Sequence, residues 1–408
     1  MAAVLGVVLA MAYQVIDPNG NMMINDGILF LKQSFLSLLK MLIAPMIFFS
    51  LIGGIISIGN VVRLRKLGGI TVSYYLLTTG IAIGLALVAV VFIHPWTNYP
   101  PLMLGTVDAS ASRLLDPGSD SIIGVLTTMA SLAFTNPFSA LANLNILGIV
   151  TNALLIGIAM VSVLEEQSPV FKFVQDANKV IIQILKWVIR ILPIGIFAIL
   201  FDFTIRLSTG EGHSEDFLAQ LIQFGLLIIG LTLIHGLIVL PTIAWVTTGT
   251  NPKVLLSKII RPLVVAFSTS SSAATLPVSM RTAEDNLGVS TSVSSFVLPL
   301  GATMNMDGTA LFEAVAAIFL AYLYGIELSS LMVITVFLMA MVASIGAPGM
   351  PSASMSGMQM VMLAIGIPLE AIAILLVIER PLDTIRTSVN VEGDLIGALV
   401  VERYLNRG

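Results

Sequence analysis

Five polar residues recur in an otherwise apolar stretch near the C-terminus: Asp383, Arg386, Thr387, Asn390 and Asp394. Their offsets of i, i+3, i+4, i+7 and i+11 place them on one face of an α-helix. A second apolar stretch carries Asn305, Asp307 and Glu313. A charge at the centre of a membrane helix costs about 2.5–3.5 kcal/mol on insertion scales, so such a stripe is expected to face a cavity and to work there. An Asp383–Arg386 pair could simply neutralise itself, but it would leave Asn390 and Asp394 unexplained. Glu379 and Arg380 are expected to cancel each other near the start of the same helix. What remains is four acids, Asp307, Glu313, Asp383 and Asp394, against one base, Arg386. An uncompensated excess in low dielectric must take up protons or bind cations. The surroundings, rich in Asn, Asp, Thr and Ser oxygens and free of histidine, suit a hard alkali cation better than zinc or copper. Composition leaves Na+ and H+ both open.

The elements that position these residues are membrane helices. Only 10% of the 408 residues are charged, 57% are hydrophobic, and the mean hydropathy is +1.01. A soluble globular chain carries about 25% charged residues, so this one cannot cover a folded surface of its size with ionic groups. The net charge of -4 argues against a nucleic-acid partner. The absence of cysteine removes disulfides, thiolate metal sites and cysteine catalysis. No Walker-type loop is present, which excludes ATP as the energy source. The three histidines, His94, His213 and His235, form no recurring motif with serine, so an intramembrane hydrolase is disfavoured and the chain is expected not to be an enzyme. The class that fits is an all-α polytopic membrane protein.

About eight spans are expected: the N-terminal helix, then 35–62, 70–93, 122–164, 180–205, 217–250, 287–324 and 369–401. The basic loops (Arg63, Arg65 and Lys66; Lys172 and Lys179; Lys253, Lys258 and Arg261) alternate with acidic ones, which places both termini in the cytoplasm. Trp96, Trp187 and Trp245 are expected as interfacial anchors, and Pro193 and Pro241 as kinks or helix ends. Two uncharged segments are not ordinary spans. Residues 262–280 are divided by the run Ser268-Thr269-Ser270-Ser271-Ser272-Ala273-Ala274, and residues 328–368 by Gly346-Ala347-Pro348-Gly349-Met350-Pro351. Both read as re-entrant hairpins. Irregular backbone at membrane depth is tolerated only where protein buries it or it lines a cavity, and paired interrupted segments point to a transporter's binding site.

These residues resemble a known family. Asn305-Met306-Asp307-Gly308-Thr309 is similar to the NMDGT signature of the glutamate transporter family, the dicarboxylate/amino acid:cation symporters. The serine run Ser270–Pro277, Ser344-Ile345-Gly346, Tyr74–Thr79, Asn136-Pro137-Phe138 and the spacing from Asp383 to Asp394 fit as well, so the resemblance covers nearly the whole chain. It implies eight transmembrane helices plus two re-entrant hairpins in an elevator-type homotrimer of the cell membrane. Residues 1–66 and 105–206 would form a scaffold, and 67–104 and 207–408 a moving transport domain. It implies a Na+-driven symporter of glutamate or aspartate, with Asp383 on the substrate ammonium and Arg386 on its side-chain carboxylate. Ser271, Ser272, Thr309, Met350, Thr387 and Asn390 would surround the rest. One Na+ site would use Asp394 with Gly301, Asn305 and Asn390. A second would use Asp307 and Asn305 with Tyr75, Thr78 and Thr79, and a third the carbonyls of Thr303, Ser344, Ile345 and Ala347.

Three departures from the family pattern matter. Glu313 stands where archaeal members have glutamine and animal carriers a proton-carrying glutamate. A lone carboxyl in a dry helix favours its neutral form, so H+ co-transport through Glu313 is expected. The arginine that other members place at the first hairpin tip or beside the last-helix aspartate is absent, since those positions are Ser270 and Thr384. The second hairpin has Ser352 and Ser354 where glycines are common. A Na+-coupled carrier of cystine, neutral amino acids or dicarboxylates is the alternative, and a channel a more distant one. Arg386 argues against a small neutral substrate, because a buried guanidinium needs an anionic partner.

Overall fold

A computed structural model describes residues 2–16, 23–62, 66–101, 127, 130–165, 167–209, 214–346, 354–368 and 371–406. The described residues are mostly helical, with no strand among them. In chain order the helices are α1 (Ala2–Ile16), α2 (Met23–Val62), α3 (Lys66–Phe92), α4 (Pro137–Ala142), α5 (Ile146–Val163), α6 (Pro169–Arg190), α7 (Leu192–Thr209) and α8 (Ser214–Ile234). A π-turn at His235–Val239 leads into α9 (Leu240–Thr248), followed by α10 (Pro252–Thr269), α11 (Ser272–Asp285), α12 (Thr291–Met304) and α13 (Asp307–Leu323). The chain ends with α14 (Ser330–Gly346), α15 (Ser354–Ala364) and α16 (Ile372–Leu405). Among the described residues five helical stretches, with α8–α9 and α12–α13 each taken as one, or six with the bent α6–α7 pair, are long and apolar enough to cross a bilayer. The protein is thus an all-α polytopic membrane protein. α16 falls outside that count because of its charges, and α1 because of its 15 residues.

Local chemistry sets the helix ends. Asn136, Ser168 and Asn251 each precede a proline and cap α4, α6 and α10 with a side-chain oxygen that accepts a backbone N–H. The turn at Ile191, just before Pro193, bends α6 against α7 by 53°. Pro241 has no N–H to give residue 237, and the wide π-turn immediately before it accommodates the missing bond. The expected fourth span is broken by Asn143–Asn145, with Leu144 at φ 52°. The seventh is broken at Asn305-Met306, between α12 and α13.

Two expectations are corrected here. Lys253, Lys258 and Arg261 lie on α10, not in a loop, because the Asn251 cap starts the first hairpin's helix at Pro252. Trp96 is buried, stacking edge-on against Phe319 at 5.2 Å, because the four-residue 3-10 turn after α3 folds it inward. Trp187 and Trp245 are exposed. The tip of the second hairpin, including Ala347 and Met350, lies outside the described residues.

The helices pack in two groups. α2 runs along α5, α6 and α7, and α1 lies on α7. In the second group α13 is buried on nearly every side, between α3, α14, α15 and α16, and α16 threads past α9, α10, α11 and α12. A helix apolar all round belongs in such a centre. The groups meet where α2 faces α3, α14 and α15; there Gly54 lets the Ile345 carbonyl approach.

Gly195 of α7 sits directly on the Phe35 ring of α2, with no room for a Cβ, whereas nothing lies within 4 Å of the Cβ position of Gly27. Gly195→Ala is expected to destabilise by about 1–3 kcal/mol through overpacking. Gly27→Ala should be neutral or gain up to about 1 kcal/mol of helix propensity. Thermal unfolding of both variants in detergent checks the packing of α7 on α2.

Candidate functional site

The last helix brings its stripe against the break between α12 and α13. Asn390 Oδ1 accepts the Gly308 N–H at 2.8 Å, and its amide donates to Thr309 Oγ1 at 3.2 Å. Gly308 lies against the Arg386 backbone and Gly393 against Asn305, close approaches that a side chain would block. The broken span and α16 are thereby held in register by their smallest residues.

Two carboxylates, Asp394 of α16 and Asp307 at the start of α13, lie at this break. Asp394 accepts the Asn305 amide at 3.1 Å and lies on Gly301, beside the Tyr75 hydroxyl. Asp307 Oδ1 accepts Thr79 Oγ1 at 2.7 Å, and Thr78 Oγ1 lies 3.3 Å from Asn305 Oδ1 and 3.4 Å from Asp307 Oδ1. Tyr75 contributes its carbonyl there, which accepts Thr78 Oγ1 at 3.2 Å, while its hydroxyl donates to Val297 O at 2.8 Å. The structure therefore brings Tyr75, Thr78, Thr79, Gly301, Asn305, Asp307 and Asp394 into one buried, oxygen-rich cluster. That chemistry fits a hard cation travelling as cargo. Among the described residues no trio of His, Cys, Asp or Glu gathers as a transition-metal site would require. The third proposed set is not assembled to the same degree. Thr303 is exposed, Ser344 is buried with its hydroxyl on Met341 O at 2.8 Å, and Ala347 lies outside the described residues.

The surroundings are not histidine-free as expected. His235, in the π-turn, donates Nε2–H to Asp307 Oδ2 at 3.1 Å, and both side chains are wholly buried. A lone histidine in an apolar span gave no sequence signal for this; only the π-turn, a frequent mark of functional sites, identifies it. Glu392 was also missed. It is buried on the side of α16 facing Gly236 in the same π-turn, because α16 is surrounded and not half-exposed.

Arg386 is fully buried with its guanidinium 3.9 Å over the Phe312 ring. Its Nη2 donates to Glu379 Oε1 at 3.1 Å, Asp383 Oδ1 at 3.3 Å and Ser354 Oγ at 3.3 Å. Nε and Nη1 have no hydrogen-bond partner among the described residues. The expected Glu379–Arg380 cancellation is overturned: Arg380 is exposed, whereas Glu379 is 2% exposed and turned inward. Neighbours in sequence do not face each other on a helix, but residues two turns apart do. Ser271 and Ser272 are buried at the first hairpin's tip, where Ser271 Oγ caps α11 by accepting Ala274 N–H at 3.1 Å. Thr387 is buried one residue beyond Arg386. Glu313 lies one turn after Thr309, its carboxyl pressed on Gly357 of α15 and both oxygens without a hydrogen-bond partner among the described residues.

The profile of the Sodium:dicarboxylate symporter family matches residues 1–404. The chain belongs to that family. It is 34% identical to an excitatory amino acid transporter of Caenorhabditis elegans, over 90% of this chain and 79% of the relative. It is 33% identical to excitatory amino acid transporter 2 of Mus musculus, over 89% and 71%. Neutral amino acid transporter A of Homo sapiens is 32% identical, over 91% and 75%. This member of the symporter family is accordingly a multi-pass membrane transporter and not an enzyme.

His235→Leu removes the donor to a buried carboxylate oxygen, a loss of about 1–3 kcal/mol or more for a charged acceptor. His235→Gln keeps an N–H of similar reach and is expected to recover part of that stability. Thermal unfolding of the two variants in detergent checks it, and equal midpoints would contradict the assignment.

Proposed function

We propose that this protein is a secondary active carrier that uses a Na+ gradient to take up acidic amino acids, glutamate or aspartate, together with H+ on Glu313. The observation that carries the reading is Arg386: a fully buried guanidinium whose Nε and Nη1 find no partner among the described residues, beside the carboxylate of Asp383. A planar guanidinium forks onto a carboxylate, and a buried carboxylate answers an ammonium. An acidic amino acid supplies both. Ser271, Ser272, Thr309, Thr387, Asn390 and Met350 complete the substrate set in this reading.

Na+ is assigned to the oxygens around Asp394 and Asp307, and to the carbonyls of Thr303, Ser344, Ile345 and Ala347. Two anions facing one broken helix require cations before the site can cross a membrane. The division of the helices into two packed groups supports an elevator. In it the scaffold (1–66, 105–206) stays fixed while the transport part (67–104, 207–408) slides along α2. We assign a homotrimer in the cell membrane with both termini cytoplasmic. An apolar groove of about 980 Å³ between α2 and α4–α5, edged by the exposed Phe138, supports burial of the scaffold face against further copies.

The test is uptake into proteoliposomes with Na+, H+ and K+ gradients imposed one at a time. An inward Na+ gradient is expected to concentrate glutamate or aspartate, and failure to move either would overturn the reading. The proton arm is tested by Glu313→Gln. Uptake by the parent should fall as pH rises, because Glu313 must be protonated to cross, whereas the variant should be flat. An unchanged pH profile in Glu313→Gln would exclude Glu313 as the carrier of H+.

A further inference from the structure

Glu379 has no role in the reading above, yet it is buried at the centre of the substrate cluster. It lies seven residues before Arg386 and four before Asp383, so the three share one face of α16. Its Oε1 accepts both Arg386 Nη2 and the hydroxyl of Ser354, each at 3.1 Å. Ser354 is the first residue of α15, the return arm of the second hairpin. One carboxylate oxygen therefore joins the last helix, the guanidinium and the hairpin.

We infer that Glu379 is an internal stand-in for the substrate's side-chain carboxylate, and so a specificity-determining residue. In this structure Arg386 already has an anionic partner, so a neutral substrate would not leave it uncompensated. An acidic substrate has to share Arg386 with Glu379 or draw it away, and in doing so releases Ser354 and the hairpin arm. Carboxylate at Glu379 thus weakens binding of acidic amino acids relative to neutral ones. The inference rests on Arg386 as the anchor proposed above, but not on which class the native protein prefers.

The experiment measures Na+-dependent binding of aspartate and of alanine to the detergent-purified full chain, native and Glu379→Gln, by competition. The isosteric amide keeps the contact with Ser354 and removes the charge. The ratio of aspartate to alanine affinity is expected to rise roughly tenfold or more, the worth of one charge-assisted hydrogen bond. Ser354→Ala serves as a second variant should Glu379→Gln fold poorly; it frees Glu379 from the hairpin and should shift the ratio severalfold. A loss of general stability would lower both affinities together and leave the ratio unmoved. An unchanged ratio in the folded variants overturns the inference, as does binding of neither amino acid by any of the proteins. If the native chain binds only alanine and Glu379→Gln gains aspartate, the inference stands and the acidic-substrate reading falls.

Discussion

Burying the carboxylates of Asp307, Asp383 and Asp394, of which Asp383 pairs with the buried Arg386, is the constraint to which the rest of the fold answers. Each unpaired charge in low dielectric costs several kcal/mol, and removing the partner from a buried pair is strongly destabilising. The chain meets part of this with Arg386, which serves Asp383 and Glu379 through one nitrogen. The rest is met by hydrogen bonds to Asp307 and Asp394 from Thr79, His235 and Asn305. Those bonds moderate the negative charge without cancelling it. Protons or a bound cation are left to neutralise it, and in the proposed function a cation does so.

Geometry follows from that constraint. A continuous helix would have its backbone carbonyls engaged internally, so α12 and α13 part at Asn305-Met306 and turn polar groups toward the acids. The break holds because Gly301, Gly308 and Gly393 let neighbouring helices approach to contact distance. Glu313 lies about two turns past the break on α13, against Gly357 on the return arm of the second hairpin. The hairpin thus touches both the proposed proton site and, through Ser354, the proposed substrate anchor. A segment in contact with both is suited to link their occupancies.

Much of this was legible in the sequence. The stripe from Asp383 to Asp394, the motif at Asn305–Thr309 and the break between α10 and α11 could be read because polar residues in apolar spans are costly and therefore informative. Other features were not. Glu379 looked neutralised by Arg380, because adjacency in sequence hides opposite directions on a helix. His235 looked like an isolated residue in an apolar span, because its partner Asp307 is 72 positions away and reached only through the π-turn. Trp96 looked interfacial, because nothing local shows that the turn after α3 folds inward onto Phe319. In each case the decisive information lay in tertiary packing.

The proposed function requires cation binding and substrate binding to be obligatorily linked through the buried carboxylates. The most direct measurement is radiolabelled Na+ flux into proteoliposomes with no Na+ gradient, driven only by an inward gradient of aspartate. The account predicts transient accumulation of Na+ above equilibrium, abolished by Asp394→Asn. Aspartate entry with no accompanying Na+ would contradict it.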